Sequence, residues 1–257
     1  MTQTEKRLYL ISELIKENSS YSGITISKDE NEQKSLLRAL FNMRMPKPVS
    51  KEFLNIQDEY LKEEIRKKGV TDFNDLKPVI QDIYLWQGDI TTLKCDAIVN
   101  AANSGMLGCF FPNHMCIDNA IHTYAGVQLR LACNNIMQRQ GYKEKTGNAK
   151  ITQAYNLPCR YIIHTVGPIV KDNPTKKDCE LLKSCYYSCL KAADENHINS
   201  IAFCCISTGE FNFCNETAAQ IAVDTVKKYK AETQSKIKVI FNVFKDLDLR
   251  IYRKIFG

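Results

Sequence analysis

The spacing of apolar side chains divides the chain into two parts. Over about the first eighty residues, leucines and isoleucines recur every three or four positions, as at Leu8, Ile11, Leu14 and Ile15 and again across 36–41. A third, more highly charged helix is predicted over 53–68, after a break that contains Pro46 and Pro48. We therefore expect residues 1–80 to form a helical N-terminal extension that packs on the rest of the chain.

Beyond this extension, short apolar runs alternate with longer amphipathic segments. The predicted strands are Ile83–Gln87, 97–100, 149–154, Tyr161–Val166, 200–206 and Lys238–Val243. Helical spacing covers 117–136, 178–194, 217–230 and 247–256. Alternation of this kind is typical of an α/β domain, and strands that are apolar on both faces require helices on both sides of the sheet. The domain boundary is predicted at 77–81, with the α/β domain over 81–257.

Composition narrows the class of protein. Hydrophobic residues make up 44% and charged residues 25%, as in soluble globular domains. No signal-peptide h-region and no run near the roughly 18 apolar residues of a spanning helix is present, so we expect a cytoplasmic chain without membrane association. The 11 cysteines are odd in number, which favours reduced thiols and a metal over disulfides. The net charge of +6 is scattered, which weakly favours an anionic small ligand and argues against nucleic acid.

Two polar segments follow predicted strands and face the edge where α/β proteins bind ligands. Gly-Asp-Ile-Thr at 88–91 follows the first strand, and Asn-Ala-Ala-Asn at 100–103 ends the second. The Asp89 carboxylate can accept a hydrogen bond from an exocyclic amine, and the Asn103 amide can bind a ribose diol. Ordinary turn chemistry also explains Asp and Asn at these positions.

A loop over 109–116 crowds three metal-ligand types together, namely Cys109, His114 and Cys116. Structural zinc sites use four protein ligands, whereas three leave a position for water or substrate, so this set indicates a working metal. The alternative is three unrelated residues in a buried loop, since the spacing is not a common finger pattern.

The next helix is predicted to begin at Ile117 and Asp118. Its free N–H groups then face the crevice at the same sheet edge as Asn103. Asp118 either complements the helix dipole or holds and activates a water, and His122 is expected to be packed and hydrogen-bonded. After the fifth strand, Ser-Thr-Gly-Glu-Phe at 207–211 has small residues that let backbone N–H groups approach a phosphate, although an ordinary strand-to-helix turn needs the same residues.

In this order, the motifs at 88–91, 100–103, 117–122 (Ile-Asp-Asn-Ala-Ile-His), 164–168 (His-Thr-Val-Gly-Pro) and 207–209 resemble the macrodomain family over about two-thirds of the chain. The resemblance implies a three-layer α-β-α macrodomain with a mixed central sheet, preceded here by the helical extension. Most macrodomains have a glycine-rich run where this chain has the Cys/His loop. That departure resembles the zinc-containing microbial subgroup, which implies one Zn²⁺ per chain held by Cys109, His114 and Cys116.

The resemblance also implies how ADP-ribose is bound. Asp89 takes the adenine amine, Ile90 gives a backbone contact, Phe244 stacks on adenine and Asn103 holds the distal ribose. The pyrophosphate and distal ribose lie against a larger set: Cys116, Ile117, Asp118, Ser207, Thr208, Gly209, Glu210 and Phe211. Because a carboxylate facing the pyrophosphate would weaken binding, the Glu210 side chain is expected to point away.

The predicted function is removal of mono-ADP-ribose from modified proteins, from Asp or Glu side chains, with Asp118 and Asn103 as the catalytic residues and zinc beside the distal ribose. Relatives of the subgroup imply one further partner, a lipoylated carrier protein modified by a sirtuin-type transferase. Two alternatives stay open on the sequence. One is a module that binds ADP-ribose without hydrolysis, and the other is a nucleic-acid-binding domain with a structural zinc.

Overall fold

The computed structural model describes residues 1–257. The N-terminal part contains three helices, α1 (Gln3–Lys16), α2 (Glu30–Met43) and α3 (Lys51–Lys68). Each helix is capped by a side chain that accepts a hydrogen bond from a first-turn N–H. The capping side chains are those of Thr2, Asp29 and Ser50 respectively. The apolar faces of the three helices meet in a small core that also includes Val127 of the α/β domain. The predicted helical extension is confirmed.

Nine strands follow, and seven of them form a mixed sheet. The strands are β1 (Thr71–Asp72), β2 (Pro78–Ile80), β3 (Ile83–Gln87), β4 (Leu93–Lys94), β5 (Ala97–Ala102), β6 (Ala149–Gln153), β7 (Tyr161–Val166), β8 (Ser200–Phe203) and β9 (Lys238–Val243). The seven-stranded sheet has the order β2-β3-β9-β8-β5-β7-β6, and β1 pairs with β4 separately. The five central strands are parallel, and the edge strands β2 and β6 are antiparallel to their neighbours.

Helices cover the sheet on both faces, as predicted from strands that are apolar on both sides. They are α4 (Ile117–Ala125), α5 (Val127–Gln140), α6 (Lys176–Glu195), α7 (Asn215–Thr233) and α8 (Asp246–Phe256). Helices α6, α7 and α8 pack on one another, while α4 and α5 pack together and α4 contacts α2 and α3. The three-layer α-β-α architecture is thereby confirmed. No helix of the chain is both long and apolar enough to cross a membrane.

Four details differ from the predicted elements. The helix expected over 117–136 is two helices, because Gly126 between them has φ +97 and an added Cβ would lie 2.7 Å from the Gln57 amide nitrogen. Strand β5 is two residues longer than 97–100, and β8 ends at Phe203 rather than at 206. Strands β1, β2 and β4 were not predicted, because each has only two or three residues.

Buried polar groups join the extension to the α/β domain. The Gln57 side chain on α3 accepts a hydrogen bond from the backbone N–H of Val127, the first residue of α5, at 3.0 Å. Arg130 lies on α5, and its guanidinium donates to the carbonyls of Phe41, Asn42 and Arg44 at 3.1, 2.7 and 2.6 Å. Each part thus supplies a partner to a helix end of the other, Gln57 to the start of α5 and Arg130 to the end of α2. The division of the chain at residue 80 stays a prediction.

Candidate ligand and metal site

The polar segments that were singled out in the sequence meet along one edge of the sheet. Asp89 follows β3, Phe244 follows β9, Ser207 lies four residues beyond β8 and Asn103 follows β5. These strands are neighbours in the parallel part of the sheet, so their carboxyl ends line a single crevice. The structure therefore brings the predicted ligand contacts together, although their individual roles stay predictions.

At one end of the crevice, Asp89 is fixed by three hydrogen bonds. Its Oδ1 accepts from the Thr91 backbone N–H and hydroxyl at 3.0 and 2.6 Å, and its Oδ2 accepts from Lys68 Nζ at 2.8 Å. Burial favours a higher pKa for the Asp89 carboxyl, but Lys68 and Thr91 outweigh burial and the net shift lowers the pKa. The carboxylate is therefore ionised at neutral pH and able to accept from an amine.

The residues beside Asp89 are a buried isoleucine and an exposed aromatic ring. The Ile90 side chain is buried, so any contact to a ligand comes from its backbone. The ring of Phe244 is 70% exposed, which leaves an aromatic face open to solvent. Strand pairing brings the two segments together, because the Gly88 N–H donates to the Val243 carbonyl at 3.0 Å.

At the other end, Asp118 is buried in the first turn of α4 and is held by two asparagines. Asn100 Nδ2 donates to Asp118 Oδ1 at 2.8 Å, and Asn103 Nδ2 lies 3.3 Å from Oδ2. Burial raises the pKa of Asp118 to about 6, although Asn100, the Arg130 charge and Asn103 each lower it. The Asp118 carboxylate is thus a stronger base than an exposed aspartate.

A buried histidine fixes Asn100 from behind. Asn100 Nδ2 lies 3.1 Å from His164 Nδ1, and His164 Nε2 lies 2.9 Å from the Thr152 hydroxyl. Because an amide NH₂ can only donate, Nδ1 accepts and Nε2 carries the proton. Burial lowers the pKa of His164 to about 3, so the ring is neutral.

His122 differs from its prediction. It is packed, as expected, but neither ring nitrogen has a hydrogen-bond partner, and Nε2 lies 3.6 Å from Asp118 Oδ1. Burial, reinforced by the nearby His164, holds the pKa of His122 well below its ordinary value, so the ring stays neutral. His122, Cys133 and His164 form a second group of possible metal ligands, but both nitrogens of His164 are already hydrogen-bonded.

The predicted metal ligands are brought together in the loop 109–116. The donor atoms of Cys109, His114 and Cys116 lie within 4.8 Å of one another, and Cys109 Sγ is 3.7 Å from His114 Nδ1. Burial and then the nearby Cys109 thiol raise the pKa of Cys116 to about 12, so a bound cation would be needed to stabilise the Cys116 thiolate. Two sulfurs and one imidazole nitrogen fit zinc.

The N-terminal extension braces this metal-ligand loop. The Asn113 backbone N–H donates to Asn42 Oδ1 at 3.0 Å, and the Asn113 side chain donates to the Ser35 hydroxyl at 3.0 Å. Arg38 donates to the His114 carbonyl at 2.9 Å and to Asn119 Oδ1 at 2.9 Å. The backbone on both sides of the metal-ligand residue His114 is therefore held by α2.

The loop over 207–213 lies on the other side of the crevice and forms its own tight turn. Ser207 is buried with φ +67, the Phe213 N–H donates to the Ser207 carbonyl at 3.0 Å, and the Asn212 N–H donates to the Gly209 carbonyl at 3.0 Å. Thr208 and Phe211 are half-buried, and Gly209 is exposed. The loop is therefore closed by its own backbone hydrogen bonds.

Glu210 does not simply point into solvent. Its Oε1 lies 3.6 Å from His114 Nε2, although the side chain is 66% exposed. The carboxylate is thus directed toward the metal-ligand loop. In zinc sites, a histidine that binds the metal through one nitrogen often donates its other N–H to a carboxylate. The sequence alone does not indicate that Glu210 lies close to His114.

Comparison with known proteins agrees with this architecture. The macro domain family matches residues 99–222. A protein-ADP-ribose hydrolase of Treponema medium is 58% identical and is covered over 99% of both chains. A protein-ADP-ribose hydrolase of Staphylococcus aureus is 52% identical over 97% of this chain and 94% of the relative.

Solved structures of similar chains show the same fold. A Trypanosoma brucei macrodomain in complex with ADP-ribose superposes with a TM-score of 0.66 at 29% identity, covering 86% of this chain and 95% of that one. An Oceanobacillus iheyensis macrodomain with ADP gives 0.62 at 33% identity, over 70% and 92%. The chain therefore belongs to the macro domain family, as its motifs predicted.

Several side chains of the site were missed in the sequence. Asn100 was quoted only as part of a motif, although a polar residue within an apolar strand is a signal of a buried hydrogen bond. Arg130, Arg38 and Lys68 reach the site from helices whose charged residues look like ordinary surface positions in the sequence. Only the tertiary packing shows that they contact the site.

Proposed function

We propose that this protein hydrolyses the bond between ADP-ribose and a modified protein side chain. The observation that carries the proposal is the buried Asp118 carboxylate, held by Asn100 and Asn103 beside the metal-ligand loop. The names of the relatives from Treponema medium and Staphylococcus aureus, which cover nearly the whole chain, support the same activity.

The crevice has the parts that ADP-ribose needs. In this proposal Asp89 accepts from the adenine amine, the open face of Phe244 stacks on the base, and Ile90 contributes its backbone. The loop of Ser207, Thr208, Gly209, Glu210 and Phe211 surrounds the phosphates with backbone N–H groups. Asn103, Cys116, Ile117 and Asp118 line the distal ribose. Glu210 takes part through its backbone, since its carboxylate is directed at His114.

The chemical step breaks the C1 bond of the distal ribose through a transition state with oxocarbenium character. Asp118 accepts a proton from the attacking water and its charge stabilises the developing cation, for which the raised pKa of the carboxyl is favourable. Asn100 and Asn103 keep both carboxylate oxygens directed at the ribose, and Asn103 also orients the sugar. His164 fixes the Asn100 amide so that its NH₂ group faces Asp118.

Cys109, His114 and Cys116 would hold one Zn²⁺ in this proposal. When bound, zinc supplies Lewis-acid charge to an oxygen near the distal ribose. The donor set supports zinc over calcium or magnesium, which prefer oxygen ligands. Loss of zinc upon chelation, measured by metal content, is expected to abolish turnover.

The proposed linkage is an ester to Asp or Glu. A carboxylate is a good leaving group that needs little protonation, so an ester linkage does not require a general acid beside Asp118. Resemblance to the zinc-containing subgroup supports a lipoylated carrier protein as one modified substrate. Such a carrier, ADP-ribosylated on Asp or Glu, is the natural protein to test after a generic substrate.

The test is release of ADP-ribose from a protein mono-ADP-ribosylated on Glu, compared with the same protein modified on Ser. We expect the zinc-loaded enzyme to release ADP-ribose from Glu and to act at least about 10-fold more slowly on Ser. Equal rates would contradict the linkage. Tight ADP-ribose binding without any release would instead support the alternative function, a module that recognises ADP-ribose.

A further inference from the structure

One lysine of the N-terminal extension reaches into the base-binding end of the crevice. Lys68 is the last residue of α3, and its Nζ lies 2.8 Å from Asp89 Oδ2. The same ammonium lies 3.4 Å from the centroid of the Tyr124 ring on α4. The Lys68 and Asp89 side chains are 31% and 35% exposed, so the pair is partly shielded from water.

The contacts of Lys68 restrict where its ammonium can lie. An ammonium over an aromatic face is attracted to the ring, and a charged hydrogen bond to Asp89 adds a second constraint. Helix α3 also packs on the short turn over 90–92 that follows Asp89. The pair therefore depends on the packing of the extension against the α/β domain and not on a freely moving surface lysine.

A count of acceptor positions shows what Lys68 does to Asp89. A carboxylate has about four lone-pair positions, two on each oxygen. Thr91 occupies both positions of Oδ1 through its N–H and hydroxyl, and Lys68 occupies one position of Oδ2. One acceptor position remains, and the carboxylate has no free rotation with which to move it.

We propose that Lys68 is a positioning residue that holds the Asp89 carboxylate so that its one free acceptor position meets the exocyclic amine of a purine nucleotide. This inference rests on the proposed function, which places the base at Asp89. It means that the extension completes the nucleotide site and is not only a cap on the fold. The site then favours a base with an exocyclic amine. A base with a carbonyl at the same position would place one acceptor oxygen against another.

The first test measures binding of ADP-ribose and of its hypoxanthine analogue to the full chain by calorimetry. For Lys68→Met we expect the Kd of ADP-ribose to rise about 10-fold, the scale of one charged hydrogen bond. The ratio of the Kd of the hypoxanthine analogue to the Kd of ADP-ribose should become smaller. Lys68→Arg, which keeps the charge, should recover most of both effects.

Lys67→Met is the matched control, since it removes the same charge from the neighbouring residue. Lys67 pairs with Glu64 at 3.3 Å and does not touch Asp89. This variant should bind like the wild type, and the unfolding midpoints of all variants should agree within a few degrees.

A double-mutant cycle then distinguishes positioning from general structure. If Lys68 acts through Asp89, Lys68→Met should have almost no effect on ADP-ribose binding in an Asp89→Asn background. An undiminished effect in that background, or wild-type affinity of Lys68→Met, would overturn the inference while leaving the proposed function intact. Failure of the wild-type chain to bind ADP-ribose would overturn the proposed function and this inference with it.

Discussion

The two loops that flank the crevice are held in different ways. The metal-ligand loop over 109–116 is tied by side chains of α2 and α5, through Asn42, Arg38 and Arg130. The loop over 207–213 is closed by its own backbone, with Ser207 and Asn212 in the left-handed region. One loop therefore depends on the extension, whereas the other is a local turn.

This difference follows from what each loop has to present. Three metal ligands must converge within a few ångströms, so the backbone that carries them needs external support. In the proposed function the loop over 207–213 needs only exposed N–H groups for the phosphates, which a tight turn can present by itself. Substitutions in α2 that remove its contacts to the loop over 109–116 should therefore weaken metal binding before they weaken nucleotide binding.

The largest effect is expected from Arg130→Met. The change removes a buried guanidinium that binds three carbonyls at the end of α2 and the Leu107 carbonyl, which leaves these acceptors without partners. We expect the free energy of unfolding to fall by about 2–4 kcal/mol, measured by urea denaturation. Arg139→Met, an exposed arginine of the same helix, should change it by less than about 0.5 kcal/mol. If Arg130→Met and Arg139→Met lowered the free energy of unfolding equally, the hydrogen bonds of Arg130 at the end of α2 would be unimportant for stability.

A smaller and more selective effect is expected from Arg38→Met. This variant removes the donors to the His114 carbonyl and to Asn119, so the metal-ligand loop loses support while the core remains packed. Zinc affinity, measured by competition with a chromophoric chelator, should fall by about 10-fold, with little change in ADP-ribose binding. Lys34→Met on the same helix pairs only with Glu30 and Glu64 and serves as the control. A loss of nucleotide affinity without a loss of zinc affinity would reverse the comparison.

The smallest effect is expected from Gly209→Ala in the second loop. Gly209 does not have a positive φ, and an added Cβ would meet no atom within 4 Å. ADP-ribose affinity should change by less than about 3-fold in titrations, because the turn does not require glycine there. Ser207→Gly gives a matched test, since Ser207 does occupy the left-handed region. A large loss with Gly209→Ala would show that bound phosphate fills the space a methyl group would take.

The sequence predicted some of these features better than others. Strands β7 and β9 have the predicted bounds, because continuous apolar runs between turn residues leave little choice of register. The split between α4 and α5 was missed, since helical spacing continues across Gly126 and only its contact with Gln57 reveals the break. The three candidate metal ligands lie close in sequence and were identified together. The roles of Lys68, Arg38 and Arg130 depend on tertiary contacts.

The same contrast between local pattern and tertiary contact holds for single residues. Asp118 was assigned to the crevice because strand ends and helix starts converge in α/β sheets. The missing hydrogen bonds of His122 could not be predicted, because they depend on burial beneath Gly108, where an added Cβ would lie 2.7 Å from the imidazole ring. The direction of the Glu210 side chain likewise depends on how closely two loops approach each other.

The most direct test of the account is a single-turnover measurement with Asp118→Asn. Excess zinc-loaded enzyme would be mixed with a protein mono-ADP-ribosylated on Glu, and release of ADP-ribose would be followed beside the binding affinity for ADP-ribose. We expect release to slow by at least about 100-fold while the variant still binds ADP-ribose and retains its zinc. Release at the wild-type rate by a folded, zinc-loaded Asp118→Asn would contradict the central role given to this carboxylate.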